Sequence, residues 1–93
     1  PSKTSEIAAE VVALCGAEQL VERARELKGK GRIQPALHLA DFAIKGANDS
    51  KRKEVLLLKA ELLDAKADAE PSFIARNIFR NGANSAREQA DSP

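Results

Sequence analysis

The sequence predicts an all-α protein. Three observations support this prediction: the composition, the positions of helix breakers and the spacing of apolar residues. Of its 93 residues 43% are hydrophobic but only 3% are aromatic, with no Trp and no Tyr. The apolar content is mainly Ala, Leu, Val and Ile, which suits helices better than an aromatic-rich sandwich or barrel. Glycine and proline separate segments whose apolar residues recur at helical spacing. We expect about five helices in antiparallel hairpins, forming a single domain over residues 1–93.

The first two helices are expected to be separated by Gly16, a residue that suits a left-handed helix stop. Either Thr4 or Ser5 can cap the start of the first helix, and the second is expected to end in the glycine-containing turn 28–31. The predicted inward residues are Ile7, Val11 and Leu14 in the first helix and Leu20, Ala24 and Leu27 in the second. Each set spans about two turns, which is enough for one packed face.

The third helix is expected to run from Arg32 or Ile33 to Lys45. Its predicted inward stripe consists of Ile33, Ala36, Leu37, Ala40 and Ile44. On a helical wheel Leu39 and Phe42 project roughly opposite that stripe, so they become candidates for contact with another protein. Cover by the first or fifth helix of the same chain is the alternative.

The fourth helix, from Lys51 to about Asp68, has two apolar stripes and should therefore touch neighbours on two sides. One stripe is Val55, Leu58, Leu62 and Ala65, the other is Leu56, Ala60, Leu63 and Ala67, and Lys59 and Lys66 divide them. The fifth helix is expected to begin with Pro71 at its first position and to fray beyond Arg87. Its predicted inward residues are Ile74, Ala75, Ile78, Phe79 and Gly82.

The titratable residues do not form a pattern that would support catalysis or metal binding. One Cys and one His cannot complete a zinc site, and we expect Cys15 to be a small buried hydrophobe and His38 to be packed or solvated. Asp64 and Asp68, one turn apart, are typical of ordinary surface charge on a helix. No catalytic, cofactor-binding or metal-binding residue is therefore predicted.

Charge and hydropathy narrow the class of partner. The 15 Lys and Arg residues are balanced by 14 Asp and Glu residues, so no strong net field would attract nucleic acid or an anionic membrane. The basic run 51–53 opens a helix, where positive charge opposes the helix dipole, and it lacks interleaved aromatics. No apolar stretch is long enough to span a membrane. We expect protein partners, while the cellular compartment stays open.

The middle of the chain resembles a tetratricopeptide hairpin. A helix leads into a turn at Gly31, and the next helix has Ala36, Ala40 and Ala43 at positions where small residues allow close helix packing. One such repeat cannot close a core by itself. The flanking helices or a second chain must therefore cover it.

A closer resemblance covers nearly the whole chain and has three parts. The segments that carry it are Ala13-Leu14-Cys15-Gly16-Ala17 with Leu20 through Leu27, then Gly31 through Ile44, then Ile74-Ala75-Arg76-Asn77 with Gly82-Ala83 and Arg87. The third segment is the most specific, because an amphipathic helix does not require an Arg-Asn pair followed at this spacing by Gly-Ala and then Arg. Together they resemble the dimerisation domain of the alkylsulfatases, hydrolases of the metallo-β-lactamase fold.

The resemblance implies a non-catalytic domain of a longer protein whose separate catalytic domain cleaves alkyl sulfate esters with zinc. It also implies a homodimer and contact with that catalytic domain. Arg76 and Asn77 belong to the family's motif, and we expect one of them to hydrogen-bond to a carbonyl or carboxylate of another helix or chain. The alternative function is a free-standing tetratricopeptide-like adaptor that binds a protein or peptide.

Overall fold

The structure, a computed structural model, describes residues 3–92, apart from the side chains of residues 4 and 5. Within that range it contains five α-helices and no strand, which confirms the predicted all-α class. The helices are α1 (Lys3–Cys15), α2 (Ala17–Gly29), α3 (Ile33–Gly46), α4 (Asp49–Asp68) and α5 (Phe73–Asp91).

The order of packing differs from the order along the chain. The helices α2 and α3 form a hairpin, α1 and α4 both pack on α3, and α5 packs extensively on α4. Among the described residues α5 contacts no other helix to a similar extent, and α1 contacts only α3 and α2. The array therefore ends in α1 on one side and α5 on the other, so each of these helices has an outer face.

The core lies where α2, α3 and α4 meet, and α4 contributes its largest buried side chains. Val55, Leu58 and Leu62 are fully buried and cluster with the inward residues predicted for α2. On its other side α4 places Ala60, with Leu63 beside it, in a second cluster formed with α5. The prediction that α4 touches neighbours on two sides is confirmed.

The start predicted for the first helix was wrong. Helix α1 begins at Lys3, ahead of both Thr4 and Ser5, so neither residue occupies the N-cap position. The predicted stop was right: α1 ends at Cys15, and Gly16 follows with a φ of 82°, which glycine adopts without strain.

The limits predicted for the fifth helix also need correction. Ser72, not a residue before Pro71, caps α5, because its hydroxyl accepts a hydrogen bond from the Ala75 amide at 3.3 Å. Pro71 therefore precedes the helix. At the other end α5 continues past Arg87 to Asp91, where the buried side chain of Ala90 holds the last turn against the protein.

The side of helix α1 that packs against the protein was predicted only in part: of the three predicted residues, Val11 is half-buried and packs against the core. Ala8 is fully buried, whereas Ile7 is 55% and Leu14 85% exposed. The contact is close because α3 ends in Gly46: a Cβ atom there would lie 2.5 Å from Val12 Cγ2 and 2.9 Å from the Ala8 carbonyl oxygen. Small residues thus determine where the two helices come closest, and Ile7 and Leu14 of α1 remain exposed.

Helix α5 also packs through its small residues and leaves large apolar residues exposed. Its buried residues are Ala83, Ala86 and Ala90, while two predicted inward residues, Ile74 and Ile78, are exposed. The three other predicted inward residues, Ala75, Phe79 and Gly82, are half-buried. Small side chains let α5 approach α4 closely, and a Cβ atom at Gly82 would lie only 3.2 Å from Leu63 Cδ1.

Candidate functional site: the outer faces of the terminal helices

The first candidate surface is the outer face of α1, which we define as Glu6, Ile7, Glu10, Val11 and Leu14. These residues line one shallow depression, and Leu14 is the most exposed large apolar side chain among the described residues. Two carboxylates border the apolar side chains. This face therefore combines an apolar centre with a negative edge.

The second candidate surface is the outer face of α5, which we define as Ile74, Ile78, Asn81 and Ser85. All four residues are exposed, and they are separated by four, three and four positions, the spacing with which one helix packs along another. The face has two isoleucines in its first half and two neutral polar residues in its second half. These four residues are uncharged, and the next residue in the same spacing, Glu88, is an exposed carboxylate.

A groove between α4 and α5 adjoins the outer face of α5. Ile78 and Ser85 form part of its wall, and the remaining lining includes Leu56, Lys59, Leu63, Phe79 and Gly82. The lysine is already paired, since Lys59 Nζ lies 3.0 Å from Asp41 Oδ1 on α3. The outer face of α5 and the groove thus form one continuous surface that is mainly apolar.

The structure places the predicted contact residues Leu39 and Phe42 partly inside the protein. Both are half-buried and pack against the main core. Leu39 is seven residues from Gly46 and so shares its face of α3, which is the face that α1 covers. The alternative of cover within the same chain therefore applies in part to both residues, and their role in contact with another chain stays a prediction.

Arg76 and Asn77 lie near the start of α5 and are both exposed. Arg76 Nε donates a hydrogen bond to the Glu70 carbonyl oxygen at 3.3 Å. That carbonyl belongs to the loop before α5, so the bond fixes the entry to this helix and does not reach another helix. Asn77 lies at the edge of the outer face of α5. Their contact with another chain stays a prediction.

The main polar contact between α4 and α5 was missed at the level of sequence. Arg80 donates to Asp64 at 2.9 Å and also pairs with Asp68, and Arg87 donates to Asp64 at 2.8 Å. Asp64 and Asp68 are therefore not ordinary surface charge. The hydrogen bond from Arg87, followed by that from Arg80, lowers the pKa of the Asp64 carboxyl despite partial burial. This ion-pair cluster fixes α5 on α4.

The cluster predicts a stability difference that depends on pH. Above the unfolded-state pKa of about 3.9 the charged Asp64 stabilises the fold, and this contribution is lost as pH falls through its lower folded-state pKa. We expect Asp64→Asn to cost about 1 kcal/mol at neutral pH, a modest value because solvent screens the pairs. The melting temperature should then fall by about 4–8 °C.

Thermal melts by circular dichroism at neutral pH and at pH values below about 3 would test this prediction. The difference between wild type and Asp64→Asn should shrink in acid. Asp91→Asn, which removes an exposed carboxylate at the end of α5, serves as the control and should leave the melting temperature nearly unchanged. Equal melting curves for wild type and Asp64→Asn at neutral pH would contradict the stabilising role.

The remaining candidate residues that the structure describes, Cys15 and His38, do not belong to a cluster of reactive or metal-binding side chains. Cys15 is exposed, which corrects its predicted burial: it is the last residue of α1. His38 is exposed, with its Nε2 atom 3.4 Å from Gln34 Nε2. In the described part of the chain no three His, Cys, Asp or Glu side chains lie together in a way that could hold a metal ion. Nor is any helix of that part both long and apolar enough to cross a membrane.

The fold and these surfaces define a small helical domain with apolar faces for protein contact. The family described as alkyl sulfatase dimerisation matches residues 1–89, so the chain belongs to that family. This confirms the resemblance found in the sequence. Neither the curated proteins nor the solved structures yielded a match to the chain.

Proposed function

We propose that this chain is the non-catalytic dimerisation domain of an alkylsulfatase-like hydrolase of the metallo-β-lactamase fold. The observation that carries the proposal is the family match over residues 1–89. The exposed apolar faces of α1 and α5 support it, since surfaces of this kind are typical of protein contacts. The domain would act by holding two copies of the longer protein together.

In this proposal the chemistry belongs to a separate catalytic domain. That domain would hydrolyse alkyl sulfate esters at a zinc site, in which zinc activates water and polarises the ester. The described residues of this chain do not fit such a site, because they offer no cluster of metal ligands. We propose the catalytic domain as a second contact partner, and neither nucleic acid nor a membrane as a partner, since the charges nearly balance.

Within the same proposal, Leu39, Phe42, Arg76 and Asn77 remain candidates for contact with another chain. Half-buried Leu39 and Phe42 could contribute their remaining exposed area at the border of an interface. Arg76 has donors left over after its bond to the Glu70 carbonyl, because a guanidinium carries five N–H groups. These donors suit a carboxylate of a partner.

The non-catalytic part of the proposal predicts that the chain alone leaves alkyl sulfates intact. We expect no sulfate release from a medium-chain alkyl sulfate, with or without added zinc, because none of the residues that the structure describes form a cluster that could bind zinc and activate water. Release above the buffer blank would contradict this assignment.

In the gene we expect a His-x-His-x-Asp-His motif upstream of residue 1, whereas a start codon directly before that residue would favour the adaptor function.

A further inference from the structure

We infer that two copies of this chain pair through the outer face of α5, around a two-fold axis that passes near Ile78. This inference rests on the proposed dimerisation function and names the surface that performs it. A two-fold axis places the same patch of both copies in contact, so the patch must tolerate its own charge pattern. The two outer faces of the array differ in this respect.

The outer face of α1 is poorly suited to pairing with itself. Glu6 and Glu10 border its apolar centre, and a two-fold axis through that centre would bring these carboxylates towards their own copies. Like charges placed together across an interface disfavour association. The outer face of α5 has no carboxylate beside Ile78: its four residues are uncharged, and Glu88, the next residue in the same spacing, lies about 15 Å further along the helix.

The spacing and composition of the outer face of α5 also favour a helix as its partner. Alternating steps of four and three residues produce a straight seam along a helix. Depletion of charge is typical of the centre of an interface, where exposed charges would lose their water. Ile74 and Ile78, 74% and 61% exposed, can bury most of their side chains in a dimer without rearranging the monomer.

A stable dimer requires a larger interface than a few residues provide, so we expect the contact to include the groove beside α5. A standard interface takes about 800 Å² from each partner, roughly one seventh of the 5858 Å² surface of this chain. The groove adds the exposed parts of the half-buried side chains Leu63 and Phe79 next to Ile78, so the α5 helix of the second copy is expected to lie along this groove.

Substitution by a charge tests the assignment. Ile78→Asp would place two carboxylates at the two-fold axis, and we expect the dissociation constant of the dimer to rise at least about tenfold. Leu14→Asp is the matched control, because Leu14 is 85% exposed on the outer face of α1 and should leave the constant unchanged. Sedimentation equilibrium from micromolar to millimolar concentration gives the constants, and circular dichroism checks that each variant is folded.

Oxidative cross-linking gives an independent readout. In a Cys15→Ser background, Ile78→Cys should form a disulfide-linked dimer, because a residue near a two-fold axis lies close to its own copy and a disulfide requires a Cα separation of about 4.4–6.8 Å. Leu14→Cys in the same background should stay largely unlinked.

The outcomes separate this inference from the proposed function. A wild-type dimer that Ile78→Asp leaves intact, together with no cross-link at Ile78→Cys, would overturn the α5 assignment and leave dimerisation standing. Weakening by Leu14→Asp or by Phe42→Ala alone would move the interface to α1 or α3. A wild-type chain that stays monomeric at every concentration would contradict both the inference and the proposed function.

Discussion

Replacing Leu58 by Ala is expected to destabilise the domain by about 2–5 kcal/mol, the range for truncating a fully buried leucine. Leu58 is 0% exposed and belongs to the cluster that joins α2, α3 and α4. The loss combines removed apolar contacts with the cavity that remains. Because a domain of this size has about 5–15 kcal/mol of stability in total, the variant should lose a large fraction of its stability.

Urea denaturation followed by circular dichroism measures this effect, with Leu57→Ala as the matched control. Leu57 is the preceding residue of the same helix but is 39% exposed, so truncation there should cost well under half as much. The comparison keeps the helix and the chemical change constant. Similar losses at both positions would contradict the described orientation of α4.

Adding one methyl group at Gly46 is expected to have the second largest effect. A Cβ atom there would meet Val12 Cγ2 at 2.5 Å and the Ala8 carbonyl oxygen at 2.9 Å, and the carbonyl belongs to the backbone, which cannot rotate away. We expect Gly46→Ala to cost about 1–3 kcal/mol, as overpacking does, and to loosen α1. Faster amide hydrogen exchange confined to α1 would report that loosening.

Gly29→Ala is the control for Gly46→Ala. Gly29 ends α2 in a helical conformation, and nothing lies within 4 Å of its added Cβ atom. Alanine is favoured over glycine in helices by roughly 0.5–1 kcal/mol, so this variant should be neutral or more stable. A similar loss from both substitutions would contradict contact with α1 as the cause of the effect at Gly46, because nothing lies near the added Cβ atom at Gly29.

The sequence predicted the interior helices more accurately than the terminal ones, and the reason is physical. Helix α4 is covered on two sides, so its two apolar stripes had to be buried whichever neighbours they met. Helix α2 likewise buried the predicted Leu20, Ala24 and Leu27. A helix in the middle of an array has few alternatives for its large apolar residues.

Terminal helices allow a choice that apolar spacing cannot resolve. In α5 the buried side is defined by Ala83, Ala86 and Ala90, because small residues let the helices come close, and Ile74 and Ile78 remain outside. Hydropathy favours the larger residues as the inward ones, so the prediction turned the helix the wrong way. The alternating spacing of Ile74, Ile78, Asn81 and Ser85 was a signal in the sequence that could have identified a second seam.

The ion-pair cluster could not be predicted for a related reason. The pairing of Asp64 with Arg80 and Arg87 depends on how α4 and α5 are docked along their lengths. Sequence spacing shows only that the two arginines share one face of α5 and that Asp64 and Asp68 share one face of α4. Which faces meet is decided by the alanines that pack between the helices.

Sedimentation equilibrium of the wild-type chain is the most direct test of the claim that two copies associate. The chain has a mass of 10.0 kDa, and dimerisation predicts an apparent mass that rises with concentration towards twice that value and then levels off. Fitting to a monomer–dimer equilibrium should leave no trend in the residuals. An apparent mass that stays at 10.0 kDa up to millimolar concentration would contradict the claim.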